Sequence, residues 1–363
     1  MTARAEPAAE FPAADIPGRD APSPLTPKAT AFPGYSDMLA RLGLHTTPPT
    51  PAPKESSVSV RETTHGEVLE RARLISKVAF HAYGNPTVHI AAVDSPLHVV
   101  GSPFANDVGP YAPCGFINNA RTDTQAFVHR NDRTKELVVA FRGTQPDLVN
   151  HPKDALNDLR ALLVPLEEAI FGTVPHTQGE PHVHLGFQEC YKSVVEDVRR
   201  AVADVLSRDP EGRWRVVLTG HSLGGALATL AAYDLANIYQ NAAQDRVVCY
   251  TFASPRVCND DFACSYNHLV PYTWRFSNVR DVVPMVPLVH WTYCHVGRNV
   301  RITPSAKGFK VDFMEHLEHG NVLRIFPALF LAAKATLYYG RHHLWKLGPL
   351  IAAEHGKNVY TKF

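Results

Sequence analysis

The residues best suited to chemistry lie together in "VVLTGHSLGGALA", where Ser222 stands between Gly220 and Gly224. A serine hydroxyl becomes a nucleophile when a tight turn exposes it and a neighbouring base takes its proton. The surroundings suit that use: the apolar run "RWRVVLTG" precedes Ser222 and the helical pattern "GALATLAAYDLA" follows it. Ser222 therefore falls at a strand-turn-helix junction. The flanking glycines leave room for strand and helix to approach around a serine in a strained backbone conformation, and Gly225 lets the helix begin against the sheet. At the N-terminus of that helix, free backbone N–H groups are available to a developing oxyanion, the one on Leu223 being nearest. A glycine-rich packing turn with an incidental serine is the alternative.

Such a turn must be carried by a sheet, and the chain supplies one. From "THGEVLERARLISKVAFHAYG" a helical period sets in, with Val68, Ala72, Ile75, Val78 and Ala79 on one side. Short apolar runs then alternate with helical patterns: "ELVVAFRG", "GFQECYKSVVEDVRRAVADVLSRD", "RWRVVLTG", "GGALATLAAYDLANIYQNAA", "RVVCYTFASP" and "YTWRFSN". Continuous apolar strands separated by helices predict a mostly parallel sheet covered on both faces. Residues 1–56, rich in Pro and Ala, show no sustained period and read as a disordered leader, with the folded domain over 57–363.

Composition narrows the classes. Of 363 residues, 45% are apolar, enough for one large core, and the formal net charge of +1 offers no electrostatic case for a nucleic-acid partner. The six cysteines show neither CxxC spacing nor a regular framework, so no zinc site or disulfide scaffold is expected and a reducing compartment is favoured. The N-terminus lacks the apolar core of a signal peptide, and the stretch "VLRIFPALFLAAKATLYYG" from Val322 is broken by Arg324, Pro327 and Lys334. It reads as a buried amphipathic helix, with a membrane-surface helix as the alternative. These features lead to the expectation of a cytoplasmic protein with peripheral membrane or lipid-droplet contact.

"GHSLGGALA" resembles the nucleophile motif of the class-three lipases, an α/β-hydrolase family. The resemblance continues in order through "DTQAFVHRNDRTKELVVAFRGT", "DALNDL", "VHLGFQECY", "FASPRVCN" and "RFSNVRDVVPMVP", over about Val68 to Phe363. It departs from the family at Cys258, where glycine is usual, at Cys190, where a small side chain is usual, and at Leu156, often tryptophan. The resemblance implies an α/β-hydrolase fold, with a lid segment in "QPDLVNHPKDALNDLRALLVPLEEAIFGTVPHT" that either moves or packs permanently on the core. It also implies a serine ester hydrolase needing no metal or organic cofactor.

In α/β-hydrolases the acid and then the base follow the serine along the chain. Asp281, just past the strand "YTWRFSN", is the candidate acid, while Asp260 and Asp261 precede that strand. Seven histidines follow Asp281: His290, His295, His316, His319, His342, His343 and His355. The resemblance implies that His295 is non-catalytic and points inward, and that His355, preceded by Glu354 and followed by Tyr360, is the base, with His316 its main rival. It also assigns the second oxyanion donor to Thr144 in "FRGT". The expected activity is hydrolysis of lipid esters, triacylglycerol first, with phospholipase A1, galactolipase or mono-/diacylglycerol lipase activity as alternatives. A catalytically silent lipid-binding protein is the competing reading from another class.

Overall fold

The computed structural model describes residues 64–87, 98–100, 107–144, 162–174, 179–209, 211–239, 245–287, 292–306, 308–314 and 357–363. The expected leader, residues 145–161 of the expected lid, the apolar stretch from Val322, and both His316 and His355 lie outside them. Among the described residues no helix is long and apolar enough to cross a membrane.

The strands are β1 (Asn85–Thr87), β2 (His98–Val100), β3 (Ala112–Asn119), β4 (Thr124–Asn131), β5 (Glu136–Phe141), β6 (Leu163–Pro165), β7 (His182–His184), β8 (Arg215–His221), β9 (Val247–Phe252), β10 (Thr273–Asn278), β11 (Arg298–Ser305) and β12 (Gly308–Met314). The helices are α1 (His65–His81), α2 (Glu168–Phe171), α3 (Leu185–Lys192), α4 (Val195–Leu206), α5 (Leu223–Ile238), α6 (Asp260–Leu269) and α7 (Lys357–Tyr360). Eight strands form one sheet in the order β12-β11-β10-β9-β8-β5-β4-β3. The central pairs β5/β8, β8/β9, β9/β10 and β10/β11 are parallel, whereas β3/β4, β4/β5 and β11/β12 are antiparallel. This is the α/β-hydrolase architecture.

Alternation explains the layers. Leu137, Val139 and Phe141 of β5 join Val216 and Leu218 of β8 in one core with α3 to α6; Val138, Ala140 and Val217 join the opposite core with α1 and α7. Because every residue of β5, β8 and β9 is buried, these strands read as largely apolar runs rather than alternating ones, whereas β10, equally buried, carries Arg275, Ser277 and Asn278. Helix α1 starts on a capping box, with Thr64 Oγ1 accepting from the Glu67 N–H and Glu67 Oε2 from the Thr64 N–H, and Val68, Ala72, Ile75, Val78 and Ala79 are all buried.

The run "GFQECYKSVVEDVRRAVADVLSRD" forms two helices rather than one. Val194, at φ −129° and ψ 1°, breaks the spiral between α3 and α4. The break is fixed from outside the run: Asn119 Nδ2 donates to the Ser193 carbonyl (2.9 Å), and Ser193 Oγ shares a hydrogen bond with Thr122 Oγ1 (2.6 Å). Helical periodicity carries no record of such a tertiary contact. Part of the expected lid is described: β6 pairs with β7, and Leu166, Ile170 and Phe171 are buried in the core with α2, so residues 163–171 are packed in place.

Beneath β4, His129 Nε2 lies 3.1 Å from His81 Nδ1, both side chains fully buried. Burial, with the facing imidazole, pushes His129 down to about 3. The unfolded chain takes up this proton near pH ~6.5 and the folded chain only near 3, so between those values the unfolded state holds more protons. Stability must then fall as pH drops through that window, by about 2 kcal/mol between pH ~6.5 and ~4.5 for His129 alone. Urea unfolding at pH 7 and 4.5 should show this loss, and His129→Gln should remove most of it.

Candidate active site

The parallel strands carry their C-terminal ends to one edge, and three of the expected residues arrive there. Phe141 of β5 pairs with Gly220 of β8, His221 pairs with Phe252 of β9, and Phe252 pairs with Phe276 of β10. Thr144 follows β5 by three residues, Ser222 follows β8 directly and Asp281 follows β10 by three. Ser222 and Asp281 thus sit two strands apart at the same end, about 10 Å at the usual strand spacing. Ligands of open α/β sheets gather at this end.

Ser222 adopts φ 58° and ψ −129°, a left-sided conformation that an L-residue keeps only where its surroundings impose it. Its N–H donates to the Phe252 carbonyl (2.9 Å) and its own carbonyl accepts from the Gly225 N–H (2.9 Å). Its side chain caps nothing on α5, so the hydroxyl is not spent on the helix, although the residue is only 8% exposed. The turn is possible because of glycine: a Cβ on Gly220 would collide with the backbone of Gly224 and come within 2.8 Å of the Gly225 nitrogen. One on Gly224 would collide with the Phe141 carbonyl. Strand β8, the start of α5 and the end of β5 therefore touch backbone to backbone. Leu223 is the first residue of α5, where its N–H has no intrahelical acceptor.

The turn after β5 is held by Arg142. Its N–H donates to the Gln125 carbonyl (2.9 Å), its guanidinium to Gln125 Oε1 (2.6 Å) and to Asp123 Oδ1 (2.6 Å). Thr144, at the end of this turn, is exposed.

Asp281 is 2% exposed, and both its carboxylate oxygens are engaged. Oδ1 accepts from the Val283 N–H (2.9 Å) and Oδ2 from the Tyr360 hydroxyl (2.7 Å), while the Tyr360 oxygen accepts from the Asn278 N–H (2.9 Å). Tyr360, fully buried on α7, thus binds the C-terminal segment to the loop after β10. Arg256 clamps that loop from the other side, its N–H donating to the Val286 carbonyl (2.8 Å) and its guanidinium to the carbonyls of Met285 and Pro287. His295 is buried, as expected, and its Nε2 donates to the Pro284 carbonyl (2.7 Å). Asp261 is engaged at the start of α6, where Oδ1 accepts from the Gly179 N–H (3.0 Å), and Asp260 Oδ1 faces the Cys294 thiol (3.8 Å). Sequence reasoning did not find Arg256, whose partners are distant in the chain. Tyr360 was noted only as an aromatic following His355.

A serine turn at φ 58° on the C-terminal edge of a mostly parallel sheet, with a buried aspartate two strands away, is the arrangement of the α/β-hydrolase fold. Residues 138–291, which hold Ser222 and Asp281, match the class 3 lipase family. The lipase of Rhizomucor miehei is 32% identical over 188 residues, 51% of this chain and 46% of that one. Its solved structure, a triacylglyceride lipase, aligns with a TM-score of 0.57 at 25% identity, over 73% of this chain and 91% of its own. A further solved structure, of a triacylglycerol lipase whose catalytic centre is formed by a serine protease triad, aligns with a TM-score of 0.55 at 25% identity over 73% of this chain and 91% of its own.

Secreted mono- and diacylglycerol lipase A of Penicillium cyclopium is 30% identical over 201 residues, 55% of this chain and 59% of that one. The chloroplastic phospholipase A(1) DAD1 of Arabidopsis thaliana is 34% identical over 158 residues, 42% and 34% of the two chains. The aligned residues span 34 to 59% of the length of these curated relatives. They overturn the expectation of a cytoplasmic compartment: one of them is secreted and another chloroplastic, and none of the three is described as cytoplasmic. That expectation had drawn on unpatterned cysteines and an unreadable leader, neither of which reports directly on compartment.

Proposed function

We propose that this chain hydrolyses the carboxylic esters of lipids, triacylglycerols first among them, through Ser222, Asp281 and His355. The observation that carries the reading is the Ser222 turn, strained, uncapped by its own side chain and at the same sheet edge as Asp281. In the reaction His355 takes the proton of Ser222 as Oγ attacks the ester carbonyl, and Asp281 holds the imidazole tautomer and balances its charge. The backbone N–H groups of Leu223 and Thr144 receive the oxyanion, each such donor being worth about 3 to 4 kcal/mol in the transition state. His355 then protonates the leaving alcohol, and water, deprotonated by the same imidazole, releases the fatty acid from the acyl-serine.

Two anchor points support His355 over His316. Tyr360, five residues after His355 in the chain, is hydrogen-bonded to Asp281. Met314, two residues before His316, pairs with Asn299, which in turn pairs with Arg275 in the first half of β10, away from the edge that bears Asp281.

Contact with a lipid interface is proposed for residues 145–162, which join the Thr144 turn to β6. Leu162, where this segment meets β6, is a large apolar side chain left 55% exposed. Rates on emulsified triacylglycerol, diacylglycerol, phosphatidylcholine and galactolipid test the assignment. Triacylglycerol should be cleaved fastest, with the rate rising once the ester exceeds its solubility. Faster cleavage of phosphatidylcholine would move the assignment to phospholipase A1, and a folded chain that cleaves none of them would be a lipid-binding protein.

A further inference from the structure

Tyr83 lies two residues beyond α1, at the end of the stretch "THGEVLERARLISKVAFHAYG", yet its hydroxyl reaches the catalytic edge. It lies 2.9 Å from Nδ1 of His221, the residue immediately before Ser222. A Cβ on Gly143, the residue immediately before Thr144, would collide with this hydroxyl and fall 2.6 Å from the His221 carbonyl oxygen. The phenol oxygen, the backbone before the nucleophile and the backbone before the second oxyanion donor thus meet at one point. Burial pushes the phenol well above its ordinary range, with the Arg142 charge and the Gly143 backbone pulling the other way, so it stays protonated. The His221 ring is packed between Phe80 (centroids 4.5 Å apart) and Tyr360 (5.9 Å), and Tyr360 donates to Asp281.

The sheet does not itself fix the two oxyanion donors relative to each other. Its ladder between β5 and β8 ends at the Phe141 and Gly220 pair, so Thr144 and Leu223 both lie beyond the last paired residues. We propose that Tyr83 is a positioning residue for ester hydrolysis: bonded to His221 and wedged against Gly143, it sets the spacing between the Thr144 and Leu223 N–H groups. The inference rests on the serine-hydrolase reading above and deepens it. An oxyanion needs its donors at about 2.7 to 3.1 Å, and a planar substrate carbonyl does not occupy the same place, so the spacing acts on the tetrahedral state rather than on substrate binding.

The test compares Tyr83→Phe with the unaltered chain on a soluble p-nitrophenyl ester. Losing one donor outright costs about 100- to 1000-fold in kcat, and a displaced donor a part of that, so a fall of about 10- to 50-fold is expected with KM within about twofold. The inhibition constant of an alkylboronic acid, which forms a tetrahedral anion on serine, should weaken by the same factor. His221→Phe, which removes the acceptor and leaves Tyr83 in place, should show the same split and covers the case in which Tyr83→Phe does not fold. His221→Asn, whose amide oxygen can take the place of Nδ1, should keep most of the activity. Unaltered kcat and boronate affinity in Tyr83→Phe or in His221→Phe, or a fall matched in KM, would overturn the inference while leaving the hydrolase reading intact. If the unaltered chain fails to react with a fluorophosphonate, the hydrolase reading itself falls, and this inference with it.

Discussion

Ser222→Ala should lower kcat/KM for a lipid ester by at least about 10⁴-fold while leaving the melting temperature within a few degrees of the unaltered chain. The chemical half follows from the role of the hydroxyl: without a nucleophile there is no acyl-enzyme, and only the slower attack of water remains. The stability half follows from the turn. Ser222 holds φ 58° because Gly220, Gly224 and the end of β5 are packed against it, and alanine meets the same strain as serine there. The hydroxyl caps no helix, so its removal leaves no orphaned N–H behind. A large loss of activity together with a large loss of stability would instead mark Ser222 as structural. Initial rates on emulsified triacylglycerol and a thermal melt separate the two.

The second large effect divides two histidines. His355→Ala should reduce kcat/KM by about 10⁴-fold or more, because serine is a poor nucleophile without a base, whereas His316→Ala should stay within about threefold of the unaltered chain. The contrast comes from where the described chain stands on either side. Tyr360 is bonded to both Asp281 and the Asn278 N–H, which ties the segment after position 355 to the acid. Met314 ends β12 opposite Asn299, toward the other end of the sheet. Parallel assays of both variants, with the unaltered chain as reference, decide the matter. If His316→Ala is the inactive one, residues 315–356 must cross back to the Asp281 edge, and Tyr360 would serve only to fix the acid.

Much of this was legible in the sequence, and the reason is burial. Strands β5, β8 and β9 are covered on both faces, so each appears as a Val-rich run that little else resembles. The Ser222 turn was legible because the glycines that permit backbone contact among β5, β8 and α5 are visible at fixed positions around it. Less was legible where a feature depends on residues far apart. The interruption between α3 and α4 comes from Asn119 and Thr122, 74 and 71 residues upstream of Ser193. Arg256, which clamps the loop after Asp281, reaches across 29 and 31 residues to carbonyl groups that no pattern distinguishes. Tyr83 reaches across 138 residues to His221. Hydrogen bonds of this kind leave no periodicity, so they become visible only once the sheet has brought their ends together.

The central claim is that Ser222 is activated rather than merely present. A fluorophosphonate tests this most directly, because an alkoxide-like serine reacts with it and an ordinary hydroxyl does not. The account predicts a single adduct, located by peptide mass spectrometry on Ser222, absent in His355→Ala and retained in His316→Ala. A folded chain in which Ser222 remains unmodified would contradict it.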